Sequence, residues 1–425
     1  MSTRRVLTLV LLAAAVAACS SSSSTTVSYD GPYAPQVRKL LPKIEQATGL
    51  AFKTAPVLEE RSRDEVRSFL EGEFEKSRQA REIELQASVY RTLGLLPDTL
   101  DLKALYLELL SEQIVGYYDP AVKKLFVVKG QADDLTGLTI AHELVHALQD
   151  QHFNLDSVQK AELPNDRAMA TQAIIEGQAI YEQFSVMLGE GNLAARMPGG
   201  WEMIRQQIRD NSATMPRFAA APFLIQETLI FPYLSGAEWM RAFKQKFPGQ
   251  SPLTRMPAST EQVMHPEKLF GDSVDAPTTL TLPAPSAGQV AYKNGLGEFE
   301  TRLFIYQHLQ DQPTAARGAG GWDGDAYQVL RFPTGEGLVW LTVWDTPVDA
   351  GEFYQLADRS VIARFRPKTY RPLGKSGKLY VDVRGRAIRV EAVEVQGRPA
   401  VLYVDVPAGT STELVDLARV QVGGN

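Results

Sequence analysis

Cysteine is almost missing from this 425-residue chain: there is one, Cys19. No disulfide can form within the chain, and no cluster of thiolates can hold a metal. Histidine is scarce too, at five residues. A metal site here must draw on a few imidazoles and on carboxylates. No run of lysine or arginine stands out, and 44 basic residues face 50 acidic ones, for a net charge of −6. Nucleic-acid binding therefore gets no support. The apolar stretch Val6–Ala18 falls short of the roughly 20 residues that span a bilayer. No internal repeat is visible. What is present is ordinary: 44% hydrophobic and 22% charged residues, enough for a core in one large or two medium domains.

The single cysteine sits at a telling place. Arg4 and Arg5 form a basic start, the apolar stretch follows, and it ends in Val16-Ala17-Ala18-Cys19. This resembles a bacterial lipobox, which implies a signal peptide over 1–18 and a lipid anchor on Cys19. Ser20 follows the cysteine. By resemblance to the bacterial sorting rule this favours the outer membrane, facing the periplasm or the cell surface, in a cell that has one. Residues 19–32 begin rich in serine and threonine and are expected to be a flexible tether.

The expected fold class is α+β. Apolar spacing near 3.6 predicts mostly helix over 36–115. Ile114–Tyr118 and Lys124–Val128, joined by Asp119-Pro120, read as a β-hairpin. Helices are expected over 135–151, from 165 or 166 to 188, and around 200–212, 221–230 and 235–247. A proline-rich stretch, 272–287, marks a boundary between a domain over 33–275 and a smaller α+β domain over 288–425. In the latter, helices are expected at 296–311, 348–363 and 411–420, and strands at 326–332, 337–344, 378–383, 387–395 and 400–404. Its expected role is to position protein substrates, cover a cleft or dock a partner. Asp323 and Asp325 are expected to cap strands rather than bind calcium, since the further spaced ligands are missing.

His142-Glu143-Leu144-Val145-His146 is an HExxH motif. Residues four apart share one helix face, so both imidazoles can meet the same ion. Glu143 lies about 100° round the helix from His142, free to reach a water rather than the metal. The expected ion is zinc, one per chain, which takes a third protein ligand and leaves a fourth position for water. Two residues compete for the third place. Glu176 lies in the apolar run Ala173-Ile174-Ile175-Glu176-Gly177, where a buried carboxylate needs a partner. His152 matches the spacing of the longer HExxHxxGxxH pattern, but Gln149 stands where that pattern has the glycine that turns the chain.

HExxH with a downstream Glu176-Gly177 resembles the gluzincin group of zinc peptidases, the thermolysin-like clan. The text from His146 to Phe153 is similar to gluzincin-like bacterial lipoproteins. The resemblance covers about 110–190 well and 220–270 loosely. It implies a zincin-like catalytic domain in which Glu143 is the general base and His142, His146 and Glu176 hold zinc. It also implies an oxyanion donor further on, for which His265 and Tyr233 are the candidates, and an edge strand that pairs with extended substrate. Thermolysin has aspartate four residues after its ligand glutamate; here that place holds Ile180, which leaves Asp150 as a candidate to orient a ligand histidine. His308 is expected to be structural.

The function expected is a membrane-anchored zinc metallopeptidase acting on peptide or protein substrates. The alternatives are an inactive peptidase-like lipoprotein that binds a partner or maintains the envelope, a metzincin-type site with His152 as third ligand, and a zinc hydrolase of non-protein amides such as peptidoglycan crosslinks.

Overall fold

A computed structural model describes residues 27–423, apart from 77, 114, 131, 189–205, 207, 208, 211 and 212. The leader, Cys19, the start of the tether and most of the helix expected at 200–212 lie outside the described residues. No described helix is long and apolar enough to cross a membrane. The fold is α+β.

The first half is mainly helical. Its small sheet has the order β1-β3-β2. Strand β1 (Val57–Arg61) runs parallel to β3 (Lys124–Val128), and β2 (Gly116–Asp119) pairs antiparallel with β3. The hairpin was expected; β1 was not, because it interrupts a region whose apolar spacing reads as helix. Below the sheet runs the motif helix, Asp133–Phe153. Its Ile140, Ala141, Leu144, Val145 and Leu148 are buried with Leu125 and Val127 of β3 and with Val37, Leu41 and Ile44 of the helix Ala34–Thr48. Tyr29 joins this cluster, and its carbonyl accepts from Arg38 Nε at 2.6 Å. The stretch expected to be tether up to residue 32 is thus docked from Tyr29 onward.

Two long helices lie beside the motif helix: the glutamate helix, Asn165–Leu188, and the tyrosine helix, Phe223–Lys246. Two helices were expected in place of the second, with a break at Pro232. The helix continues because Ile230, Phe231, Leu234, Ala237, Trp239, Met240 and Phe243 are all buried along it. At about 2 kcal/mol per buried large side chain, that burial outweighs the roughly 3 kcal/mol a helical proline costs.

The second half is a seven-stranded antiparallel sheet of order β5-β6-β7-β11-β10-β9-β8. Its strands are Gln289–Asn294 (β5), Trp322–Phe332 (β6), Gly335–Trp344 (β7), Arg371–Leu373 (β8), Gly377–Val383 (β9), Arg386–Val395 (β10) and Arg398–Pro407 (β11). Successive side chains point to opposite faces. Leu338, Trp340 and Trp344 face the helices, and Val339, Leu341 and Val343 face the other side. That other side is covered by a ribbon of β4 (Thr279–Thr281) and β12 (Gln421–Gly423) and by Leu414 and Val420. The helix expected at 411–420 is replaced by a short 3-10 turn, Leu417–Arg419. Extended chain there lays Leu414 and Val420 onto the sheet.

The proline-rich boundary separates the two halves in sequence, not in packing. One apolar cluster runs from Tyr90 and Leu93 through Ile174, Phe231 and Trp239 to Phe299, Trp340 and Tyr403. Phe231 and Phe299 meet with ring centroids 4.0 Å apart.

Candidate metal centre

The motif helix places His142 and His146 one turn apart, with ring centroids 4.8 Å apart. The glutamate helix brings Glu176 against both. His142 Nε2 lies 3.1 Å from Glu176 Oε2, His146 Nε2 lies 3.4 Å from it, and the two Nε2 atoms are 3.1 Å apart. The three side chains are between 10% and 13% exposed, so the cluster is nearly enclosed yet open on one side. In a tetrahedral site with bonds of about 2.0–2.1 Å, ligand atoms sit about 3.3 Å apart. The observed triangle therefore has the size of one face of a zinc tetrahedron, and the residues fit the ion.

Each imidazole is held from behind by an amide. His142 Nδ1 donates to Gln183 Oε1 at 3.1 Å, and His146 Nδ1 donates to Gln149 Oε1 at 2.8 Å. Donation from Nδ1 leaves the Nε2 lone pair for a metal. Gln149 is itself fixed, donating to Ile175 O and to Gln178 Oε1 on the glutamate helix. Asp150, expected as the orienting group, faces elsewhere. It accepts from Tyr118 Oη and Lys123 Nζ, both at 2.8 Å, and from Leu155 N. It ties the β2–β3 hairpin to the motif helix instead.

His152 does not join the cluster. The motif helix runs unbroken through Gln149 and ends at Asn154, whose positive φ of 49° closes it. Ten residues of unbroken helix put His152 about 15 Å along the axis from His142. There its Nε2 meets the Ala51 carbonyl at 2.9 Å. Without the glycine turn, the metzincin arrangement cannot form.

Glu143 is 8% exposed. Burial raises its pKa, the two histidines oppose that, and Glu176 adds to it; the Tyr118 backbone N–H donates to its carboxylate. Glu176 goes the other way. Burial disfavours its charge, but His146 and His142 together hold it well below the usual carboxylate range. Burial works against charge on His146 too, yet Glu176 lifts it to about 9. These are the shifts of a carboxylate set among imidazoles.

Of the two candidate oxyanion donors, the structure brings one to the site. Tyr233 has its ring centroid 6.2 Å from that of His142. Its hydroxyl donates to Glu176, and the charge of Glu176, then burial, raise its pKa well above the usual phenol value. His265 lies between two short helices, Thr260–Met264 and Pro266–Phe270. Its Nε2 pairs with Glu298 Oε1 at 2.9 Å, and Nδ1 faces Glu267, so its partners are not those of the cluster. Residue 265 is the junction of those two helices.

The approach of Tyr233 to Glu176 depends on two glycines. A Cβ on Gly177 would lie 2.2 Å from the Gly236 carbonyl carbon, and one on Gly236 would lie 1.9 Å from the Ala173 oxygen. The glutamate and tyrosine helices therefore touch backbone to backbone, one residue after Glu176 and three after Tyr233. The sequence reading missed Gln149, Gln183 and this glycine crossing. The Glu176-Gly177 pair was the one visible sign of the crossing.

A second acidic group, Glu261, Asp275 and Asp345, surrounds Lys268 Nζ at 2.6, 2.8 and 2.9 Å. The ammonium occupies the place a metal would take. His308 Nε2 donates to Leu93 O at 2.8 Å, a structural contact. Asp325 caps the helix Gly297–Leu309 by accepting from Leu296 N and Gly297 N, and Asp323 pairs with Arg398.

Residues 287–408 match a family model described as a domain of unknown function (DUF8575). The match spans the seven-stranded sheet and leaves out the histidine–glutamate cluster. No curated protein matches the chain, and no solved structure does.

Proposed function

We propose that the chain is a zinc-dependent metallopeptidase of gluzincin type that hydrolyses peptide bonds with Glu143 as general base. The observation that carries this reading is the triangle of His142 Nε2, His146 Nε2 and Glu176 Oε2, with sides of 3.1, 3.1 and 3.4 Å. Zinc held there would supply Lewis acidity towards a scissile carbonyl and bring a water's pKa down to about 7.

The chain's own residues do the rest. Glu143, one residue along from His142 and raised in pKa by burial, takes a proton from the attacking water and passes it to the leaving amine. The Tyr118 N–H keeps its carboxylate aimed. Tyr233 keeps its proton at neutral pH and turns its hydroxyl from Glu176 to the developing oxyanion. Strand β2 is at the sheet edge and lies beside Glu143, so an extended peptide adds to it as a further strand. A lipid anchor on Cys19 would hold this site at the cell envelope.

The test is zinc content after dialysis against a weak chelator, read beside peptide hydrolysis. Wild type and Glu143→Gln should each keep a single zinc, and Glu176→Ala should lose it. Glu143→Gln should lower kcat by about 10²–10⁴-fold. A folded wild type that takes up no zinc would overturn the reading.

A further inference from the structure

A cleft of about 530 Å³ opens directly against Glu176 and Tyr233. It runs away from the cluster between the glutamate helix, the tyrosine helix and the helix Arg78–Thr92, and reaches the sheet half at Tyr292 and Glu300. Its lining has a marked chemistry. Tyr90, Tyr106, Tyr233 and Tyr292 supply aromatic walls, and Glu82, Glu176 and Glu300 supply carboxylates. No lysine, arginine or histidine is among its described lining residues. This contrasts with those buried carboxylates elsewhere that have cations built in, such as Glu182 with Lys244 and Asp405 with Arg386.

Glu300 is the sharpest part of the observation. It is 6% exposed. Its Oε1 accepts from Tyr90 Oη at 2.7 Å, while Oε2 has no hydrogen-bond partner. A buried carboxylate oxygen left in this way costs free energy unless something arrives to meet it. Glu82 stands across the cleft, accepting from Tyr292 Oη at 3.3 Å.

We propose that this cleft is the specificity pocket of the site and takes a basic side chain, lysine or arginine, of the peptide substrate next to the scissile bond. The inference rests on the metallopeptidase reading and adds the substrate class to it. The aliphatic stem lies along Met169, Ile175 and Leu229, which also line the cleft. The cationic head stacks on tyrosine faces and meets Glu82 and Glu300, and Glu300 releases to solvent the proton that burial keeps on it. A neutral or acidic side chain would leave Glu300 Oε2 unmatched. The pocket also gives the sheet half a task, since Tyr292 and Glu300 belong to the stretch that matches the family of unknown function.

The experiment measures binding and turnover separately on the full-length, zinc-loaded protein. Peptides carrying arginine or its neutral isostere citrulline, and lysine or norleucine, at each position around a central bond are titrated against Glu143→Gln protein, and the same peptides are given to wild type. Tighter binding of the cationic member of each pair at one position, by about tenfold or more, is expected. Glu300→Gln and Glu82→Gln, both isosteric, should each shrink that ratio, with zinc content and thermal unfolding as controls for the fold. Equal binding of the two members, a preference for the neutral one, no peptide binding to zinc-loaded protein, or a ratio that survives in the double variant would each overturn the pocket. Cationic preference in binding with no cleavage by wild type would uphold the pocket and remove the peptidase reading instead.

Discussion

In the sheet half, Asp405 lies 2.6 Å from Arg386, Asp358 lies 2.6 Å from Lys378, and Asp323 lies 2.8 Å from Arg398. Each of these three buried carboxylates has its own fixed cation. In the helical half, Glu143 and Glu176 are largely buried too, yet the cationic groups set against them are the imidazoles of His142 and His146. The difference is not one of helix against strand, because Glu182, six residues beyond Glu176 on the same helix, pairs with Lys244. A carboxylate that holds the fold is matched within the fold. On the proposed reading, Glu176 between its two imidazoles is matched by a metal that arrives.

The largest effect expected from breaking this contrast is at Asp405. Asp405→Ala strands Arg386 and should cost about 3–5 kcal/mol in denaturant unfolding, with zinc uptake unchanged. Glu176→Ala should do the reverse: little loss of stability in metal-free protein, and no zinc retained. If both variants lose stability equally, the two classes of carboxylate are not distinct. Next comes Gly236→Ala, whose added methyl meets the Ala173 carbonyl. Unfolding should show a loss of about 1–3 kcal/mol, and kcat should fall as Tyr233 is moved off Glu176.

Smaller effects sharpen the comparison inside the site. Gln149→Met and Gln183→Met free the imidazoles to turn, and competition with a chromogenic chelator should show zinc binding weakened by about 10–100-fold. Gln151→Met, on the same helix but bonded to Lys53 N, should leave zinc affinity as it is. The last test concerns Glu300. Burial pushes it from 4.5 up to about 8, so the folded chain holds a proton that the unfolded chain has released across that range. Stability contributed there is complete below about pH 4.5 and is lost as pH rises to about 8. Glu300→Gln should flatten the fall in melting temperature over that window, by at most about 1.4 kcal/mol per pH unit. An unchanged slope would mean that Glu300 is ionised in the fold.

The candidate ligand residues were legible because their spacing is local. His142 and His146 share a helix turn, and Glu176 is a charge in an apolar run. The fold class and the motif and glutamate helices were legible through apolar period, as were the strands β7, β10 and β11. What was not legible depends on partners distant in sequence. Gln183 reaches His142 from another helix, and Gln149 reads in the sequence only as a missing glycine. His265 stood ahead of Tyr233 as a candidate, since nothing local says which of them a helix crossing will carry to residue 176. Pro232 suggested a break that long-range burial overrode, and the segment 411–420 was drawn into extended chain by a sheet face the sequence does not display.

The contact between Phe231 and Phe299 has a mechanical consequence. Phe231 lies two residues before Tyr233, so the sheet half acts as the back wall against which the tyrosine helix is clamped. A cut at the proline-rich boundary would not yield a smaller peptidase and a spare domain. It would strip the brace from the phenol, open the far wall of the cleft, and leave two apolar faces in water, each better suited to sticking to its own kind than to folding alone.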